Sequence, residues 1–307
     1  MLREDTSYRS ALPFSRKTIY NALSSGIMFN LKDYFNSFSR YKNIYKNPIK
    51  IIWYVYNSKF PFLASLKNGR TLEIPNSAFA WIVSFGLDVS YDYRSHILSL
   101  NFCGSCLKFF GTEMNGEIPE VFGLDDYGKI NFKDETVVDV GANIGDSSIY
   151  FVSKGASRVI AIEPFPSSYS LLERNISLNE MEDIILPINA ALGGSDGTVN
   201  LDPMIQSTTG LGINDSKRGQ QVRIISLNTL VCEFNVENSI LKLDCEGCEY
   251  KVINSSSLEA LSQFKALIIE FHHGVRDLCN DIKDVFDVKV IPKSGKLGLI
   301  TAIRKLP

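Results

Sequence analysis

The sequence predicts an α/β protein whose larger part is a mostly parallel, doubly wound sheet closed by a C-terminal β-hairpin, preceded by a smaller mixed α/β N-terminal region. Three observations carry this expectation. From Thr136 onward, short apolar runs alternate with stretches of helical length, the pattern of βαβ units around a parallel sheet. The run Val137-Val138-Asp139-Val140 passes straight into the tight turn Gly141-Ala142-Asn143-Ile144-Gly145-Asp146 and then a helix. A second apolar run, Val159-Ile160-Ala161-Ile162, ends on Glu163-Pro164, 22 residues after Gly141.

In chain order, residues 1–130 are expected to form an accessory region bearing on substrate choice, and residues 131–307 the doubly wound domain. Leu31–Tyr45 is helix-compatible, and the aromatic-rich Ile51–Tyr56 is bounded by Asn47-Pro48 and Phe60-Pro61. Leu63–Phe110 is cut into short β-prone runs at Asn68-Gly69, Pro75-Asn76 and Gly104-Ser105, which predicts a small antiparallel sheet or a set of hairpins. After the turn-rich Gly111–Lys133, Val137–Val140 is the first parallel strand and Ser147–Lys154 its helix. Arg158–Ile162 is the second strand, Ser167–Asn179 its helix, and Ile184–Ala190 the third strand. Gly193–Gly197 is a turn. Val199–Asp202 and Gln221–Ile225 predict a β excursion around the Gly/Thr/Ser-rich loop Gln206–Gly219, a lid candidate. Ile240–Leu243 and Ala266–Glu270 are strands four and five; Val285–Ile291 and Gly298–Ile303 form a hairpin around Lys293-Ser294-Gly295-Lys296.

At 307 residues with 45% hydrophobic content, the chain can bury a sizeable core as one large or two modest domains. Its 32 basic and 34 acidic residues leave a formal charge of −2, so no global field recruits nucleic acid or an anionic membrane, and no nucleic-acid partner is expected. The best apolar stretch, Ile49–Leu66, is interrupted by Lys50, Asn57, Ser58 and Lys59, which argues against a membrane span. Met1–Lys17 lacks an apolar run of signal-peptide length, making the cytoplasm the expected compartment.

Six cysteines are too few for a disulfide scaffold, yet two pairs have CxxC spacing, Cys103/Cys106 and Cys245/Cys248. A shared zinc site would have to join pairs far more distant than zinc ribbons allow. The simpler expectation is that Gly104-Ser105 is a two-residue hairpin turn with cysteines flanking it as small apolar residues.

In this architecture a ligand lies beyond the carboxyl ends of the strands, nearest the first βα turn. Gly141-Ala142-Asn143-Ile144-Gly145 is not GxGxxG, so the turn that hugs the diphosphate of nicotinamide and flavin cofactors is missing. Asp139, at the end of the first strand, would repel a diphosphate and attract an ammonium and a sulfonium. S-adenosylmethionine carries both, and Glu163 would accept hydrogen bonds from its ribose hydroxyls.

Four motifs then resemble, in order, the FkbM-type methyltransferases: Val138-Asp139-Val140-Gly141-Ala142-Asn143-Ile144-Gly145; Glu163-Pro164; Asn189-Ala190-Ala191-Leu192-Gly193; and Lys242-Leu243-Asp244-Cys245-Glu246-Gly247-Cys248-Glu249. The resemblance covers about Thr136–Ile303 and implies a class I methyltransferase (Rossmann-like) fold. It also implies methyl transfer, usually to an oxygen, here of a sugar, a lipid-linked glycan or a secondary metabolite. S-adenosylmethionine would be held by Asp139, Gly141, Ala142, Asn143, Gly145, Asp146, Glu163, Pro164 and Asn189. Cys245 and Cys248 occupy variable positions of the last motif.

Methyl transfer from a sulfonium is an in-line displacement, so the protein mainly aligns the nucleophile and excludes water. An aliphatic hydroxyl nevertheless needs a base or a metal. Asp244 and Glu270 fall at the carboxyl ends of neighbouring strands with Glu246 and His272 nearby, and these four are the expected catalytic residues. Asp244 and Glu270 either hold a divalent cation such as Mg or act directly as base and orienter. Glu249 is expected to offset the dipole of the following helix, and Lys242 to pair with a neighbouring carboxylate. Two rival functions are a nicotinamide-dependent oxidoreductase, which needs the missing phosphate turn, and a non-catalytic protein that binds S-adenosylmethionine or another nucleotide. Carboxylates gathered in the crevice argue against the second.

Overall fold

The computed structural model describes residues 31–305 apart from 112–117, 203–218, 257, 276 and 294. The chain divides into two compact units, Met1–Asp126 and Tyr127–Pro307. All of the lid candidate Gln206–Gly219 except Gly219 lies outside the described residues.

The first unit begins with helices α1 (Leu31–Ile44) and α2 (Pro48–Tyr56), the second opened by a proline whose missing N–H costs nothing in the first turn. A hairpin follows, β1 (Phe62–Ser65) against β2 (Thr71–Ile74). Next comes a helix that sequence reading missed, α3 (Ser77–Ser84). Its apolar run resembles a strand, but the Asn76 side chain accepts the Phe79 N–H at 2.8 Å and so caps a helix start. Tyr45, fully buried, donates its hydroxyl to the Ala80 carbonyl at 2.8 Å and ties α3 to the end of α1. The meander β3 (Val89–Asp92), β4 (Ile97–Phe102) and β5 (Ser105–Phe109) follows, and a π-helical turn, Pro119–Gly123, comes after it in this unit. The β4–β5 turn is Cys103-Gly104, one residue earlier than expected. Phe102 pairs with Ser105, and the two residues between them, at φ 48° and 82°, supply the left-handed pair that a tight hairpin needs.

The second unit is built on a seven-stranded sheet in the order β14-β15-β13-β12-β6-β7-β8. The strands are β6 (Thr136–Val140), β7 (Arg158–Ile162), β8 (Ile185–Ile188), β12 (Ile240–Leu243), β13 (Ala266–Phe271), β14 (Phe286–Pro292) and β15 (Gly298–Arg304). The first five run parallel, and β15 lies antiparallel to both β13 and β14. This is the class I methyltransferase order. From β6 the chain winds outward through β7 and β8, then returns to β12 on the other flank of β6, so the order reverses between β6 and β12. Ligands bind at such a switch point. Strands β6, β7 and β12 are nearly continuous apolar runs because helices cover both faces. These helices include α4 (Asp146–Ser153), α5 (Pro166–Leu178), α6 (Leu227–Phe234) and α7 (Cys248–Ser255); α8 (Leu258–Ser262) and α9 (Leu278–Ile282) are short.

The expected third strand is two. β8 stops at Ile188, and β9 (Ala190–Gly193) joins a separate sheet with β10 (Gly197–Leu201) and β11 (Gln220–Ser226), in the order β10-β11-β9. Asn189 makes the break: its amide donates to the carbonyls of Glu163 and Pro164 at 2.9 and 3.1 Å, fastening the chain to the end of β7 before it turns away. Among the described residues, no helix is long and apolar enough to cross a membrane.

Candidate active site

The carboxyl ends of β6, β7, β12 and β13 bring together most of the residues singled out in the sequence. On the β6 side the turn folds over β7: the N–H groups of Gly141 and Ala142 both donate to the Ile162 carbonyl, at 2.9 and 3.1 Å. Gly141 has φ +77°, and a β-carbon there would come within 1.7 Å of the Asp244 carbonyl oxygen. A glycine is needed at this point because the protein's own β12 end crosses the turn. Ala142 is buried, and Asn143, at φ +47°, donates its N–H to Glu163 Oε2 at 2.9 Å. Gly145 is the N-cap of α4 and Asp146 its first residue.

The three carboxylates expected to contact the cofactor, Asp139, Asp146 and Glu163, are enclosed by protein. Asp139 was expected to face the cations of a ligand; instead it is fully buried, 2.9 Å from Lys242 Nζ, and accepts hydrogen bonds from the hydroxyls of Ser147 and Ser148 at 2.7 and 2.6 Å. Strand pairing explains this, since Lys242 and Asp139 are register partners on β12 and β6 and a buried charge requires a counter-charge. The expected pairing of Lys242 with a neighbouring carboxylate is thus the one with Asp139, and Lys242 also donates to the Gly141 carbonyl at 3.1 Å, locking the turn. Glu163 is 1% exposed, its oxygens taking the N–H groups of Asn143 and Phe165, both at 2.9 Å. Burial pushes its carboxyl up to about 7 against the pull of those two hydrogen bonds. Asp146 is likewise raised to about 7 by burial, which outweighs the opposing attraction of Lys242. Pro164 and Asn189 complete this side through the amide bonds described above.

On the β12 side, His272 is the hub. Its Nε2 lies 3.6 Å from Asp244 Oδ1 and 3.5 Å from Glu246 Oε2, and its Nδ1 lies 3.4 Å from Glu249 Oε1. Burial would lower the imidazole pKa, but the hydrogen bond with Glu249 and the charges of Asp244, Glu246 and Glu249 lift it to about 9. The ring is therefore an imidazolium at neutral pH. Glu249 does stand in the first turn of α7 as expected, yet it is also fully buried and bonded into this cluster. The glutamates at 246 and 249 reach the same ring because Gly247, at φ +113°, turns the chain between them, and its N–H donates to Glu249 Oε2 at 2.8 Å.

Glu270 and the proposed metal pair require correction. Glu270 Oε1 is ion-paired to Lys293 at 2.9 Å, while Asp244 faces His272 and, at 3.7 Å, Lys242. Each of the two carboxylates thus has its own cation. Among the described residues no group of three or more His, Cys, Asp or Glu side chains is arranged to hold a metal ion. The donor set around Asp244 suits an ammonium or imidazolium and gives no support to Mg.

Sequence reading also missed a covalent bond. Cys245 and Cys248 form a disulfide, with Cα atoms 5.4 Å apart, inside the Asp244–Glu249 loop. The CxxC spacing was the available signal. The same spacing at Cys103 and Cys106 leaves two free, exposed thiols.

The methyltransferase FkbM domain matches residues 139–288. "Methyltransferase sdnD" of Sordaria araneosa is 25% identical over 168 residues, 44% of this chain and 65% of the relative. The chain thus spans just under two thirds of that relative's length. "Methyltransferase 1" of Beauveria bassiana (strain ARSEF 2860) is 25% identical over 210 residues, 61% of this chain and 81% of the relative. Among solved structures, a putative tRNA (m1A22) methyltransferase of Streptococcus pneumoniae, Sp1610, is 16% identical with a TM-score of 0.39, covering 60% of this chain and 71% of its own. The putative methyltransferase yhhF of Escherichia coli is 12% identical with a TM-score of 0.40, covering 66% and 93%. The acid at the end of β7 and the Lys-x-Asp-x-Glu-Gly-x-Glu stretch that runs on from β12 both lie in the segment matched, and over residues 139–288 this chain is similar to the FkbM methyltransferase domain.

Proposed function

We propose that the chain is an S-adenosylmethionine-dependent methyltransferase acting on a hydroxyl oxygen of a small-molecule or glycan acceptor. The observation that carries this reading is the His272 cluster, three carboxylates about one imidazolium, standing beside the β6 glycine turn at the switch point of the sheet. The donor set fits the cofactor. Asp139, Asp146 and Asp244 lie close enough to act electrostatically on one another with Lys242 as their counter-charge, and Glu163 feels the same lysine. Such a surplus of carboxylates favours a cation and repels a diphosphate.

Bound S-adenosylmethionine would supply the electrophilic methyl carbon. Glu163 would hold its ribose hydroxyls, and a cationic ligand would favour the ionised forms of Glu163 and Asp146. Asp244 takes the acceptor's hydroxyl proton at Oδ1. His272 holds Asp244 and Glu246 in place and is a positioning residue. The first unit, outside the family match, is assigned acceptor selection, and the even charge balance makes a neutral cytoplasmic acceptor a better candidate than nucleic acid.

Parallel calorimetric titrations with S-adenosylmethionine and NAD test the reading. Binding of the first and not the second is expected; binding of NAD alone would overturn it.

A further inference from the structure

The Cys245–Cys248 disulfide has no part in the chemistry above, yet it spans the loop that presents that chemistry. We propose that this bond is a redox-controlled positioning element: closed, it holds Glu246 and Glu249 around His272, and opened by a reductant, it lets them go. The inference rests on the methyltransferase reading for its functional meaning, but not for its physical content.

Three observations support it. First, the bond encloses Glu246 and Gly247, which stand at φ +57° and +113°. A glutamate in the left-handed region is held there at a cost, and a covalent ring is what removes the alternatives. Second, Glu249 is shared between the bond and the imidazole. Its Oε2 lies 3.6 Å from Cys245 Sγ and accepts the Gly247 N–H, while its Oε1 faces His272 Nδ1 at 3.4 Å. A disulfide sulfur has no proton to give; a Cys245 thiol has one, and Glu249 is the acceptor beside it. Reduction therefore adds a competitor for the carboxylate that orients His272. Third, Cys245 and Cys248 are partly buried residues packed against the core of the sheet and are not sealed within it.

The exchange balances without any further group. In closing, the Cys248 thiolate, at the N-terminus of α7, attacks one sulfur of a low-molecular-weight disulfide such as glutathione disulfide and expels one thiolate. The Cys245 thiolate then attacks Cys248 in the mixed disulfide and expels the second. Two electrons pass to the external disulfide, whose two thiolates take up the two protons; opening by a dithiol runs the same steps in reverse.

The test uses the full chain carrying Cys103→Ser and Cys106→Ser, which removes the other CxxC pair. Redox state is assigned by alkylation and mass, the His272 ring is followed by NMR across pH, and S-adenosylmethionine is titrated calorimetrically in each state. Reduction is expected to lower the His272 titration midpoint by about one pH unit, a tenfold change in its protonation ratio. Glutathione disulfide should restore it, and a Cys245→Ser/Cys248→Ser variant should match the reduced state permanently. An identical midpoint in oxidised and reduced protein would overturn the proposal, with no dependence on whether that variant folds. Failure to bind S-adenosylmethionine in either state would instead sink the parent reading while leaving the coupling between bond and imidazole standing.

Discussion

The two sides of the crevice keep their carboxylates in opposite ways. Around the turn after β6 and the end of β7, Asp146 and Glu163 are buried, and burial moves both toward the neutral acid, to about 7. Around β12 and β13, Asp244, Glu246 and Glu249 instead share one imidazole, which they move toward its charged form, to about 9. One side stores protons on acids and the other stores a proton on a base. The same residue type does both because the surroundings differ: in one place burial outweighs the backbone N–H groups that favour the carboxylate, and in the other a titratable ring carries the proton.

Four experiments press on that contrast, in descending order of effect. Lys242→Met should be the most damaging to the fold, costing about 3–5 kcal/mol in denaturant unfolding, since it strands the buried Asp139 carboxylate. Adding Asp139→Leu should recover part of that loss, and no recovery would mean the lysine acts through the Gly141 carbonyl alone. Asp244→Asn should slow methyl transfer by about 100-fold or more, a loss in turnover much larger than its loss in cofactor affinity, as expected for a proton acceptor. Full turnover in that variant would remove Asp244 from the chemistry. Glu163→Ala should weaken S-adenosylmethionine binding by about 1–3 kcal/mol, and an unaltered affinity would reduce Glu163 to a strut between two turns.

An effect of similar size to that of Glu163→Ala is expected on pH dependence. His272, raised from 6.5 to about 9, contributes stability that is fully present below pH 6.5 and lost as pH rises through 9. At about 1.4 kcal/mol per pH unit, discounted for the part of the ring that meets solvent, this amounts to about 2 kcal/mol. Thermal unfolding of the wild type should lose that much between pH 6.5 and 9, and His272→Gln should flatten the slope. Glu163 has the same sign over a lower window: its raised carboxyl favours the folded state when protonated, so stability also falls between pH 4.5 and 7. A His272→Gln profile that flattens below pH 6.5 and not above it would place the shift on the wrong side of the crevice.

Much of this was legible in the residues. The strands β6, β7, β12 and β13 fell within a residue or so of the apolar runs read as ending at Val140, Ile162, Leu243 and Glu270, because a buried parallel strand has no polar alternation to blur its edges. Helix α3 was missed because its burial makes it apolar on nearly every side, so the helical period is hidden. Asn189 hid the split between β8 and β9, since a single side-chain amide redirects the chain without changing its composition. Glu270 was read as a partner of Asp244 from strand adjacency alone; Lys293, delivered by the end of β14, claims it first.

What the sequence by itself determined was local: the alternation of strands and helices, the glycine turn after β6, the acid at the end of β7, and the motif that opens α7. These follow from side-chain periodicity and backbone freedom over a few residues. The tertiary structure alone decided which charges meet. Asp139 faces Lys242 because β6 and β12 are hydrogen-bonded neighbours; Gly141 is indispensable because the Asp244 carbonyl crosses it; and His272 gathers three carboxylates because β13 ends beside the loop from β12. A charge's behaviour is set by what stands within a few ångströms of it, and in a sheet wound outward in two directions those neighbours come from strands far apart in the chain.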